Sequence, residues 1–323
     1  MNISKQKNII ISASVFSLLF LLFYYFFLYN PNTGSIPTIA IVKTATHPAL
    51  DQALAGFYDV VKERFGDEII FKIKNTDGSV TAAQTIADSL YQDTDVVLFY
   101  AIATLALCAL AQKEKERPII FSAVTNPSIL SLENQKNICG ISDLVDVSKQ
   151  IKHVLTFVPG ATSVGIIFNG AEINSLYVVK QMEEELEKRN IRVHKISVMS
   201  AIEVPAALEQ NINNIDVLIA PADNLVAIAA SLIAQMCNNH KIPCVFADNL
   251  LLQYGATATC GVDYYEAGKI AGTMAISILE QVNTPNIIGF MDQKEAVFKV
   301  NKEIYETMKE KLYFDPATMK FNE

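Results

Sequence analysis

The chain has 323 residues, with 26 basic and 34 acidic side chains, a formal net charge of −8, and 51% hydrophobic against 19% charged residues. At roughly 150 residues per domain this makes about two domains, too apolar for a disordered chain and too long for a disulfide-stapled one. The first 35 residues hold Lys5, Lys7 and no acid, so the other 288 carry 24 basic against 34 acidic groups. That balance excludes a nucleic-acid partner, which needs concentrated Lys and Arg.

Residues 9–29 are 21 consecutive positions without a charge, enough to cross a bilayer, which takes roughly 18–20 apolar residues. Lys5 and Lys7 precede the run and no basic residue follows until Lys43, so the charge bias holds the N-terminus in the cytoplasm and exports the body. The run is longer than the apolar core of a cleaved signal and ends in aromatic rather than small residues. We therefore expect an uncleaved anchor, with residues 1–35 serving as cytoplasmic tip, membrane anchor or signal, and linker. The five cysteines are odd in number, show no CxxC spacing, and begin only at Cys108, so the export segment has no acceptor for a lipid. Cys237 and Cys244, at a helix end and in the next strand, are the one pair placed to form a bridge in an oxidising compartment.

From residue 36 onward, apolar β-rich runs alternate with stretches of helical period. Residues 38–42 form a strand. Leu50, Leu54, Phe57, Val61 and Phe65 stripe a helix closed by Gly66. Strands follow at 69–73, 96–100 and 119–124, with helices striped by Ala83, Ile86, Ala87 and Leu90 and over 104–112 between them. A second series runs strand 164–168, helix 174–189, strand 192–198, helix 203–212, strand 217–220, helix 224–238 and strand 243–247. The helix over 174–189 is expected to bury Leu176, Val179, Met182 and Leu186. Two similar exits, NICGISD (137–143) and ATCGVD (258–263), each lead into a helix. They read as crossings between lobes.

The fold class is therefore α/β: two doubly wound parallel-sheet lobes joined by a hinge, preceded by one N-terminal transmembrane or signal segment. Lobe 1 takes residues 36–143 plus 264–290, and lobe 2 takes 144–263 plus 291–323. Such lobes bind ligands in the cleft at the carboxyl ends of their strands.

The chain carries no GxGxxG, GxxxxGK[ST] or GxSxG motif, and its four histidines are scattered with no HxxxH, so no cofactor, metal or catalytic set is expected. Three of the histidines read as surface residues. What accumulates instead is short polar groups at strand ends: TATHPALD after the first strand, Thr104 after the third, VTNP after the fourth, then NGAEINS, PADN and ADN in the second lobe. Any one of these fits a helix cap. Six together, in both lobes, point to a cleft. Hydroxyls and free helix N–H groups suit a carboxylate, whereas Glu172, Asp223 and Asp248 suit an ammonium, so a zwitterion fits the mixture.

At these residues the sequence resembles the type I periplasmic substrate-binding proteins of ABC transporters, in the group that includes tryptophan- and tyrosine-binding members. The segments HPALD (47–51), SAVTNP (122–127), GIIFNGAEINS (165–175), PADN (221–224) and GATATCGVDYYEAGKIAG (255–272) occur in order across residues 36–282. The resemblance implies a non-catalytic protein, monomeric in its soluble part, that closes on a small ligand and works with a membrane permease and its ATPase. Thr46, Thr104, Thr125, Asn126, Ser175, Asp223 and Asp248 fall on the family's cleft-lining motifs; Glu172, Asn174 and Asn224 match less fully. Asn126 stands where members often carry an acid, and Leu105 where they often carry proline. The reading is an extracytoplasmic solute-binding component of an ABC importer, with an amino acid, aromatic among the candidates, as ligand. The alternative is a sensing module that signals to a membrane partner; residues 1–8 offer little cytoplasmic chain for that.

Overall fold

The computed structural model describes residues 36–132, 135–293 and 296–322. The expected anchor at residues 9–29, like all of 1–35, lies outside them. Among the described residues no helix is long and apolar enough to cross a membrane.

In chain order the elements are β1 (Thr38–Lys43), α1 (Pro48–Phe65), β2 (Ile70–Asn75), α2 (Val80–Tyr91), β3 (Val96–Ile102), α3 (Thr104–Lys113), β4 (Ile119–Val124) and β5 (Ile138–Ser142). Next come α4 (Val147–Phe157), β6 (Ser163–Asn169), α5 (Ile173–Glu187), β7 (Arg192–Val198), α6 (Val204–Asn211), β8 (Val217–Ala220), α7 (Asn224–Ile228), α8 (Ala230–Asn239), β9 (Cys244–Asp248) and β10 (Ala258–Val262). The chain closes with α9 (Tyr264–Leu279), α10 (Pro285–Ile288), β11 (Phe290–Asp292), β12 (Val297–Val300), α11 (Lys302–Met308) and β13 (Met319–Phe321).

Two sheets result, ordered β2-β1-β3-β4-β5-β11 and β7-β6-β8-β9-β10-β12-β13. The first is parallel throughout. In the second, β12 runs antiparallel to β10 and the other pairs are parallel. β1 and β4 are buried along their whole length, as strands covered by helices on both faces must be. Each sheet accordingly has two apolar cores, one per face. Strand order reverses between β1 and β3 and between β6 and β8, which places a crevice at the carboxyl ends of both pairs.

The chain passes from the first sheet to the second after β5 and returns after β10, because α9 packs on α1. Glycine permits that return. A Cβ on Gly268 would sit 2.1 Å from the Ala53 carbonyl oxygen, and one on Gly56 2.1 Å from that of Tyr265, so the two backbones touch directly. β11 pairs with β5, so the last passage to the second sheet follows Asp292 rather than residue 290.

Several local expectations differ from the structure. The helix expected over 224–238 is broken at Ala229 into α7 and α8. Leu176 is 48% exposed: the buried stripe of α5 runs Ser175, Val178, Val179, Met182 and Leu186, and Leu176 shares the outer face with Lys180. Cys237 and Cys244 are free thiols within one core of the second lobe.

Candidate functional site

Between the two sets of strand ends lies a narrow chamber of about 30 Å³. Lobe 1 contributes His47, Leu50, Ala103, Thr104, Ala123 and Thr125; lobe 2 contributes Asn174, Asp223, Asn224, Asp248 and Leu251. Asp143 and Tyr264, at the first two crossings, complete the wall. The chamber opens past Thr104, Asn174 and Asn224 into a wider groove of about 620 Å³, lined by Thr46, Glu172, Leu105, Ile173, Met199 and Ile228 among others.

Each polar group is positioned by a strand end. Asp248 ends β9; its Oδ1 accepts from Leu250 N at 2.9 Å, capping the following turn, while Oδ2 is buried with no partner. Burial pushes its carboxyl up to about 6, helped by the charge of Asp143 and opposed by the Leu250 hydrogen bond. Asp143 follows β5. Its Oδ2 accepts from the Tyr264 hydroxyl at 3.0 Å and its Oδ1 is buried and unpartnered. Burial raises its pKa as well, against the Tyr264 hydrogen bond and the polar Thr125 side chain nearby.

His47 begins α1 without capping it. Its Nε2 lies 3.2 Å from Asn224 Oδ1, across the cleft. The amide orientation of Asn224 is fixed by its Nδ2, which donates to Glu172 Oε2 at 2.7 Å, so Nε2–H is the donor to Oδ1. Burial lowers the histidine pKa, and in the neutral ring Nδ1 is then an acceptor. Nδ1 is buried without a partner. The chamber thus presents three unpaired acceptors, His47 Nδ1, Asp143 Oδ1 and Asp248 Oδ2, and none of its lining residues is Lys or Arg.

Asp223 behaves differently from Asp248. Its Oδ1 accepts from Val226 N at 2.9 Å, and its Oδ2 accepts from Asn169 N and the Ser175 hydroxyl, both at 2.6 Å. Burial and the nearby Glu172 charge raise its pKa. These three local donors occupy the carboxylate that the sequence suggested for an ammonium. Ser175 is likewise committed to Asp223. Glu172 accepts from Asn169, Asn174 and Asn224 in the outer groove, where Thr46 accepts from Asn75 Nδ2 at 2.7 Å. Asn126 lines neither space: its side chain accepts from Ser128 N and caps a single turn. Among the aromatic side chains of these elements, Phe57 and Tyr100 stack on each other in the core, Tyr177 packs against the core of lobe 2, and Tyr264 lines the chamber.

Two alanines at the chamber wall sit in left-handed backbone, Ala103 with φ 74° and ψ 167° and Ala123 with φ 56°. The first is a region otherwise occupied almost only by glycine, at a cost of about 1–3 kcal/mol. Ala103 precedes α3 without capping it, and the cap comes from Thr44, whose Oγ1 accepts from Ala106 N at 3.1 Å; α1 starts at the chamber with no side-chain cap.

Two α/β lobes, a chain that passes repeatedly between them and a polar chamber at their facing strand ends, continuous with a wider groove, define a hinged solute-binding protein. The chain belongs to the ABC transporter substrate binding protein family, whose profile matches residues 38–314. It is not an enzyme family. The chain is 32% identical over 268 residues to a tyrosine-binding protein of Clostridioides difficile, covering 80% of this chain and 77% of that one. Among solved structures it is similar to a conserved domain protein from Vibrio cholerae (26% identity, TM-score 0.82, 88% of this chain and 100% of that one). An ABC domain from Streptococcus pneumonia in complex with L-Trp gives TM-score 0.82 at 21% identity, covering 88% and 100%. The ligand-free, open structure of a substrate binding protein with adhesive properties from Clostridium difficile gives 0.67 at 26% identity, covering 89% and 99%.

Proposed function

We propose that this protein is the extracytoplasmic solute-binding component of an ABC importer, closing on a ligand that carries a primary ammonium group, namely an amino acid of the aromatic class. The observation that carries the reading is the set of three unpaired acceptors in one buried chamber. A buried acceptor without a donor costs about 1–3 kcal/mol, more when charged, and a primary ammonium supplies three N–H donors. Asp143 and Asp248 are the charged partners, His47 the neutral one, with Thr104, Thr125, Asn174 and Asn224 completing the wall. The uncapped start of α1 suits the ligand carboxylate. The amino-acid class and its aromatic side chain rest on the tyrosine-binding relative, and the apolar groove outside the chamber gives a bulky side chain room.

Substrate-binding proteins of this family are extracytoplasmic and generally work with an ABC permease. In this reading residues 9–29 tether the protein to the membrane, the soluble part is a monomer, and a permease with its ATPase receives the ligand. Ligand that binds only the folded state raises thermal stability by RT ln(1 + [L]/Kd). A thermal-shift screen of the common amino acids should give its largest shift with tyrosine or tryptophan; no shift with any of them would refute the reading.

A further inference from the structure

Asp143 stands where the chain first leaves lobe 1 and Tyr264 where it returns, and the two are joined by the 3.0 Å hydrogen bond from the Tyr264 hydroxyl to Asp143 Oδ2. The bond leaves Oδ1 as the oxygen without a partner. The third crossing is tied into the same knot: Gln293 N donates to the Ser142 carbonyl at 3.2 Å and Gln293 Nε2 to that of Asp263 at 2.9 Å. All three connecting segments are therefore bonded within one residue of Asp143 or Tyr264. Tyr264 itself begins α9, whose glycines lock it against α1.

We propose that Tyr264 is a positioning residue for ligand binding: its hydroxyl holds Asp143 so that the free carboxylate oxygen meets the ligand ammonium, and it makes the hinge segments part of the binding site. This rests on the reading of the chamber as an ammonium site. Without the phenol, Asp143 would have two buried oxygens lacking that donor, would favour its protonated form, and could rotate away from the ligand. The titratable groups around Asp143 are Tyr264 on α9 and Asp248 at the end of β9, with His47, Asp223 and the Glu172 charge elsewhere on the chamber and groove.

The test is titration calorimetry of the purified chain with L-tyrosine over a range of pH. Tyr264→Phe keeps the ring and should weaken binding about tenfold, the loss of one charge-assisted hydrogen bond. It should also move the acidic limb of the affinity profile to higher pH, since the donor that favours ionised Asp143 is gone. Asp143→Asn should bind weakly, and Asp143→Asn with Tyr264→Phe no more weakly than Asp143→Asn alone, because both changes act on one contact. Tyr264→Phe with wild-type affinity and an unmoved acidic limb, beside a defective Asp143→Asn, overturns the positioning role and leaves the ammonium reading standing. An Asp143→Asn variant that binds like the wild type overturns both.

Discussion

Replacing Asp248 by asparagine should move ligand affinity and stability in opposite directions. In the folded chain this carboxyl is 5% exposed, has one oxygen without a partner, and is raised from 3.8 to about 6. A raised acid pKa means the folded state holds the proton more tightly than the unfolded one. Its contribution to stability is therefore intact below 3.8 and is lost as pH rises through about 6. At 1.36 kcal/mol per unit, the ionised side chain destabilises the folded protein by up to about 3 kcal/mol at neutral pH. Asparagine keeps an oxygen for Leu250 N and carries no charge. Ligand-free Asp248→Asn should accordingly melt several degrees higher at pH 7.5, given about 2–4 °C per kcal/mol for a chain of this size, and the gain should vanish near pH 4. The same change removes one charged partner of the ammonium, so binding should weaken about 10- to 100-fold. Wild-type affinity should also fall below about pH 6, where the ligand must displace a proton. Differential scanning calorimetry and titration calorimetry on one preparation read both signs. A variant that melts lower while binding normally would refute the reasoning.

Asp223→Ala should destabilise the protein by about 2 kcal/mol, because Asn169 N, Val226 N and the Ser175 hydroxyl all lose their acceptor; denaturant unfolding checks it, and a loss of affinity at unchanged stability would return this residue to the ligand. Ala103→Gly should raise unfolding free energy by about 1 kcal/mol, the relieved strain net of glycine's entropy, while Ala103→Val should lower it. Gly268→Ala should cost at least about 2 kcal/mol, since a Cβ 2.1 Å from the Ala53 carbonyl oxygen must push α1 and α9 apart; a melting curve like the wild type's would show that the helices separate freely.

The alternation of strand and helix was legible because fully buried parallel strands such as β1 and β4 are continuous apolar runs and their covering helices are striped. Asp248 was legible as a polar group at a strand end. Asp143 and Tyr264 were visible too, but as punctuation of the two crossings. Nothing local in the sequence says that residues 121 positions apart share a hydrogen bond. Asp223 and Asn126 show the converse. Both are short polar residues at strand ends, and in both the donors of the next turn take up the side chain, an outcome set by backbone geometry that residue type does not encode. His47 entered only as part of HPALD, since its role depends on Asn224 in the opposite lobe and on the amide orientation that Glu172 imposes.

The central claim, an ammonium held between the lobes by Asp143, Asp248 and His47, is tested most directly by titrating the purified chain with L-tyrosine and with the same molecule lacking its amine, 3-(4-hydroxyphenyl)propanoate. Saturable one-to-one binding of tyrosine, with the deaminated acid at least about 100-fold weaker, the loss of roughly 3 kcal/mol, is the predicted result. Equal affinity for the two would contradict it.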